Sequence, residues 1–121
     1  MKLKKSFRYI IYKLSDDHKT ITVAKAVENG DYDQFVAELP ANECRYAVYD
    51  FEYQISETEG QRNKICFYVW APDTAKIKQK MIYASSKDAL RKKLVGVATE
   101  VQGTDLSEVS YETVLDRITS V

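Results

Sequence analysis

The sequence predicts an α/β sandwich, a mixed and mostly antiparallel sheet of five strands flanked by helices, and three observations carry that prediction. Residues 64–70, KICFYVW, contain an apolar run without alternation, as expected of a central strand covered on both faces. The stretch after it, residues 70–95, WAPDTAKIKQKMIYASSKDALRKKLV, has the spacing of a long helix that can cover one of those faces. The remaining segments fall in the order ββαββαβα, which alternates strands and helices within one layer scheme.

Each element has a local reason. Residues 6–14, SFRYIIYKL, are aromatic and β-branched, and after the polar turn SDDHK come residues 20–27, TITVAKAV, so the pair reads as a β-hairpin. The two faces of the second strand are less distinct than in a strand with one solvent side, and Asn29 and Gly30 break it. Asp31 offers an N-cap for a short helix, DYDQFVAEL, in which Tyr32, Phe35, Val36 and Leu39 share a face before Pro40 stops it. Residues 44–55, CRYAVYDFEYQI, form a long strand, and residues 56–63, SETEGQRN, read as a polar loop. Pro72 disfavours helix at the residue before it and Asp73 can accept from free first-turn N–H groups, which predicts a helix starting near Thr74. Residues 97–102, VATEVQ, are the last strand, parallel to KICFYVW through a right-handed crossover. Residues 110–120, SYETVLDRITS, close the chain with a helix that Ser110 caps and whose face is Tyr111, Val114, Leu115 and Ile118.

The long helix is unusual in charge and in pattern. Lys76, Lys78, Lys80, Lys87, Arg91, Lys92 and Lys93 face one acid in its body, Asp88, a bias that stabilisation by alternating charges does not produce. At 100° per residue Ile77, Met81 and Ala84 make one stripe, and Tyr83, Leu90 and Leu94 another on roughly the opposite side. Either the helix bends near Ser85 and Ser86, whose hydroxyls can bond back to the backbone, or the first stripe is an exposed apolar strip among lysines. Taken alone, helical spacing of apolar residues favours burial.

A chain of 121 residues fits one domain, residues 1–121. The N-terminal apolar run is short and interrupted by Arg8 and Lys13, unlike a signal peptide or membrane span, so a soluble intracellular protein is expected. Cys44 and Cys66 lack metal-ligand spacing and read as small buried hydrophobes. The net charge is zero but unevenly spread: residues 1–13 balance to +5, 14–59 to −8, 60–93 to +7 and 94–121 to −4. A basic segment centred on the long helix fits an acidic partner, unless the acidic and basic segments neutralise each other in the fold. The sole histidine, His18, lies in a turn beside Asp16 and Asp17. No nucleophile elbow, phosphate loop, zinc-protease or calcium motif is present, and Asp50 with Glu52 reads as a pair on a solvated strand edge. No catalytic residue, metal or cofactor is therefore expected. What remains is a binding module.

Three stretches carry a resemblance: YAVYDFEYQI with the GQRNKICFYVWAPDTA beyond it, KIKQKMIYASSKDALRKKL, and VQGTDLSEVSYETVLDRI. Together they resemble the cofilin and actin-depolymerising factor family, most of all its fungal members, over nearly the whole chain. The resemblance implies the actin-depolymerising factor homology fold, with five strands between helices. It implies binding of monomeric and filamentous actin with a preference for ADP-loaded subunits, a change of filament twist, severing and depolymerisation. It implies a monomer in the cytoplasm on the actin cytoskeleton, with the nucleus as a second location. The positions matching the family's contact with the actin cleft are Ile77, Lys78, Lys80 and Met81, which turns the first stripe into an exposed strip. Those matching the filament-side contact are Arg62, Lys64, Asp116 and Arg117; Ser120 stands where similar fungal cofilins usually carry another base.

Relatives also carry a longer N-terminal segment, an arm with a regulatory serine and then a helix on the sheet. Here residues 1–5 lead directly into the first strand and Ser6 does not match that serine, so no phosphorylation site is carried over. Without such a helix, apolar sheet surface is expected to lie uncovered and stability to fall. Three other readings compete. Lys80, Lys87, Arg91 and Lys92 can engage phosphoinositide headgroups at a membrane surface, which in the family competes with actin. Nucleic acid is disfavoured, because the aromatics interleave with strand positions and not with the basic run. A sister module such as glia maturation factor, which binds an actin-nucleating complex, shares the fold, but KMIYASSKDAL argues for cofilin.

Overall fold

The computed structural model describes residues 7–17, 19–56, 60–94 and 96–119. Residues 1–5, Ser6, His18 and Ser120, on which expectations were placed above, lie outside them. The strands are β1 (Tyr9–Leu14), β2 (Ile21–Val27), β3 (Arg45–Ser56), β4 (Gly60–Trp70) and β5 (Val97–Gly103), and the α-helices are α1 (Tyr32–Ala37), α2 (Ile77–Arg91) and α3 (Tyr111–Thr119). They form one sheet in the order β2-β1-β3-β4-β5, antiparallel throughout except that β4 and β5 run parallel, joined through α2.

Strand β4 explains the layering. Cys66, Tyr68 and Trp70 point to one face and Phe67 and Val69 to the other, and all five are buried. On the first face Tyr32, Phe35 and Leu39 from the α1 region and Val109, Val114 and Ile118 from the C-terminal part join Tyr9, Tyr49 and Phe51 in an aromatic-rich core. On the second, Ala75, Tyr83, Leu90 and Leu94 from α2 and its flanks pack on Ile10, Tyr12, Tyr46, Val48 and Phe67. The edge strand β2 is nearly all exposed, which accounts for its indistinct faces.

Two expectations need correction. The segment read as a loop over 56–63 is largely strand: β3 and β4 pair as far as Ser56 and Gly60, with Asn63 opposite Glu52 and Arg62 opposite Tyr53. Its polar residues hid this, because the ribbon runs beyond the reach of β1, which pairs with β3 only to Tyr49, and of β5, which meets β4 at Ile65. Asp50 and Glu52 lie at and beyond the end of the β1–β3 pairing, half-buried on a locally open side of β3; Asn63 donates to Asp50 at 3.1 Å and Arg8 pairs with Glu52. Helix α2 starts at Ile77, not near Thr74, and Asp73 does not cap it. The 72–75 turn is held elsewhere, by Ala75 N donating to the Pro72 carbonyl at 2.9 Å and the Thr74 hydroxyl to the Ala41 carbonyl at 2.8 Å.

A 3-10 turn over Leu106–Val109, not anticipated, seats α3 against the sheet. Asp105 caps it, and Glu108 reaches back to the Thr104 N–H at 2.7 Å. Gly103 is needed here, since a Cβ on it would stand 2.5 Å from a Val109 methyl. The buried Tyr32 hydroxyl donates to the Val109 carbonyl at 2.5 Å and lies 3.1 Å from the Tyr68 hydroxyl. Tyr32→Phe leaves that carbonyl without its donor, a loss of about 1–3 kcal/mol. Denaturant melts should show a lower midpoint at unchanged slope, and a midpoint equal to the parent's would show that the tether contributes nothing.

Candidate functional site

Helix α2 is continuous from Ile77 to Arg91, and it presents its two stripes to different environments. Tyr83 and Leu90 are buried, whereas Ile77 is 74% exposed and Met81 66%. Tyr83 is the anchor. Its hydroxyl accepts the Leu14 N–H at 2.9 Å, its carbonyl accepts the Tyr46 hydroxyl, and its ring lies 4.9 Å from that of Tyr46. With the buried side held in this way, the Ile77 and Met81 side faces water.

The start of the helix has no side-chain cap and is positioned by its neighbours. Gln79 Oε1 accepts the Cys44 N–H at 2.8 Å, Trp70 Nε1 donates to the Pro40 carbonyl at 2.6 Å, and Lys80 Nζ donates to the Asp73 carbonyl at 3.0 Å. Residues 40–44 are thereby tied to the entry of α2. Lys78 is exposed and Lys80 half-buried, so the structure brings Ile77, Lys78, Lys80 and Met81 together as an apolar strip with a basic border. Beside this entry a groove of about 550 Å³, which sequence reading missed, is lined by Val36, Leu39, Trp70, Pro72 and Leu106.

Arg62 and Lys64 lie on the opposite face of the sheet, two apart on β4, on the side that α3 covers. Lys64 Nζ donates to the Ile118 carbonyl at 3.4 Å in the last turn of α3 and stands 5.9 Å from the Tyr53 ring centre. Asp116 and Arg117 are exposed on α3. Lys64 therefore links the two stretches of this second surface and is partly engaged in doing so.

The four bases matched to phosphoinositide are not one open patch. Lys80, Lys87 and Arg91 share a helix face, while Lys92 points about a quarter turn away. Lys87 Nζ is 3.0 Å from Glu100 Oε2 and Arg91 Nε 4.0 Å from Glu100 Oε1, with Gln102 Nε2 also donating to the carboxylate at 3.1 Å. Burial disfavours the charged form of Glu100, but the hydrogen bonds from Lys87 and Gln102 and the charges of Lys87 and Arg91 outweigh it and hold its pKa below the ordinary 4.5. Sequence reading missed Glu100, which passes as a polar residue of an edge strand. The same logic holds Glu38 low, against burial, through Lys25 and the Tyr9 hydroxyl. Cys44 and Cys66 are free and buried on opposite faces, and burial pushes the Cys66 thiol up to about 12.

A mixed sheet between helical layers, bearing an exposed apolar strip bordered by lysines and a second charged surface on its other face, defines a protein-binding module. The chain belongs to the cofilin/tropomyosin-type actin-binding protein family, whose model matches residues 1–119. It is 60% identical to a cofilin of Mycosarcoma maydis over 98% of this chain and 84% of the relative. The crystal structure of Streptomyces griseoflavus cofilin superposes with a TM-score of 0.88 at 54% identity, covering 94% of this chain and 83% of that one. That of Plasmodium berghei actin depolymerization factor 2 gives 0.80 at 29% identity, covering 95% and 85%. The protein therefore binds actin.

The depressed carboxylates set an acid limit. Groups with lowered folded pKa values contribute fully above the ordinary glutamate value of 4.5 and lose that contribution as pH falls through their folded values. Thermal midpoints should hold on lowering the pH toward that value and fall below it, with a shallower fall in Glu100→Gln. Parallel profiles for the two proteins would remove Glu100 from the account.

Proposed function

We propose that this actin-binding protein of the cofilin family, which severs and depolymerises filaments, acts as a single domain through two surfaces on opposite faces of its sheet. The Ile77, Lys78, Lys80 and Met81 strip docks on monomers and filaments, and Arg62, Lys64, Asp116 and Arg117 add the contact to a neighbouring filament subunit. One observation carries this reading: Ile77 and Met81 are 74% and 66% exposed on a helix whose other side is anchored, so the protein presents an apolar centre with a charged rim. Severing follows as population shift. A binder favours a twisted filament only through its higher affinity for that state, and strain gathers where decorated and bare segments meet. The chain itself makes and breaks no bond. Its place is the actin cytoskeleton of the cytoplasm, with nuclear actin as a second target, and it works as a monomer.

A second reading accompanies this one at the other end of α2. Lys87, Arg91, Lys92 and Lys93 fall within seven residues at the negative end of the helix dipole, and Lys92 and Lys93 are exposed. This end, with Lys80 on the Lys87 face, engages phosphoinositide headgroups on a membrane.

Lys78→Ala with Lys80→Ala should weaken actin binding about tenfold while stability stays within about 0.5 kcal/mol, because both ammonium groups lie at the surface. Filament co-sedimentation and a fluorescent monomer assay read this; unchanged binding to both actin forms would move the site elsewhere. Arg62→Ala should reduce filament binding and severing and spare monomer binding. Lys64→Ala should do the same while also loosening the end of α3, seen as faster amide exchange there. Equal losses on monomer and filament would show that the two surfaces are not separable.

A further inference from the structure

We propose that Glu100 is an internal competitor for the membrane headgroup: its carboxylate occupies the Lys87–Arg91 pair, and a lipid phosphomonoester binds this end of α2 only by displacing it. The inference rests on the second reading above and adds to it what sets its selectivity.

The geometry is that of an occupied anion site. Glu100 sits on β5 opposite Phe67, a residue of the core under α2, and so faces the helix. One carboxylate oxygen takes Lys87 at 3.0 Å and Gln102 at 3.1 Å, while the other faces Arg91 at 4.0 Å, the outer limit of an ion pair. The carboxylate is therefore held firmly on one side and loosely on the other. The side chains of Lys87, Arg91 and Glu100 are 24%, 38% and 27% exposed, which leaves the pair reachable from solvent without unfolding.

Charge decides which anion can take Glu100's place. Ion pairs this exposed to water are weak, so the internal contact is exchangeable. A lipid phosphodiester with one negative charge offers the two bases no more than the carboxylate already does. A phosphomonoester carries a charge of about −1.5 to −2 and three acceptor oxygens, enough to engage Lys87 and Arg91 together. Glu100 thus raises the threshold for binding and excludes ordinary anionic lipids, a discrimination built from a competing group. Lys92, exposed directly after Arg91, adds attraction to the surface that does not depend on the exchange.

Vesicle co-sedimentation of the parent chain and Glu100→Gln tests this, using phosphatidylcholine vesicles doped either with phosphatidylinositol 4,5-bisphosphate or with phosphatidylserine at matched surface charge. The parent should bind the first and not the second. Glu100→Gln should bind the first about fivefold tighter, the worth of one unmasked base near an anionic leaflet, and gain binding to the second. Adding Lys87→Gln and Arg91→Gln should abolish the gain; a gain that persisted would show a general charge effect and overturn the competitor role. Equal affinities of parent and Glu100→Gln for both vesicles would overturn it as well, leaving the membrane reading intact. If neither protein binds any vesicle, the membrane reading itself fails and the inference goes with it. Binding of soluble inositol trisphosphate without vesicle binding would likewise replace the lipid with a free phosphate.

Discussion

Burial of β4 on both faces is the constraint on which the rest of this structure depends. A strand that carries Cys66, Tyr68 and Trp70 one way and Phe67 and Val69 the other must lie inside the sheet and between two helical layers. Antiparallel pairing with β3 satisfies one edge and parallel pairing with β5 the other. The parallel partner requires a crossover, and α2 both provides it and covers the second face. The first face is left to α1 and α3. The two proposed actin surfaces, one on α2 and one on α3 with the end of β4, are consequences of this layering.

Tyr83 converts that layering into an exposed strip. A helix on a sheet usually buries one broad apolar stripe, yet α2 contains two narrow ones on opposite sides. The Leu14 N–H, the Tyr46 hydroxyl and the core around Leu90 all hold the Tyr83 side. Only one stripe can be inside. The other, Ile77 and Met81, is committed to the surface, where its apolar area becomes available to a partner.

Charge is treated differently at the two ends of the same helix. The acidic and basic segments do neutralise each other in places: Glu100 takes Lys87 and Arg91, and Glu52 takes Arg8. At the entry of α2 the Lys80 ammonium instead meets a carbonyl, and Lys78 faces solvent. The basic bias of the sequence therefore survives as an open border around the apolar strip, while toward the C-terminal end it is partly matched from within.

Element order, the double burial of KICFYVW, the Asp31 and Ser110 caps and the apolar face of α3 follow from local spacing and turn chemistry, because such signals act over a few residues. Spacing also revealed that α2 has two stripes. Which of them is buried was a tertiary decision, since a helix cannot specify the surface it meets; the resemblance to cofilins pointed the right way where periodicity alone favoured burial. The true start of α2 was hidden for the same reason: the 72–75 turn is held by residues 41 and 72 and by the adjoining loop, not by Asp73. The polar ribbon of β3 and β4 read as a loop because pairing there is satisfied by backbone, which side-chain polarity does not report. Glu100 was illegible until β5 lay beside α2, since the meaning of a carboxylate lies in the cations that the fold brings within reach, and no spacing along the chain records that distance.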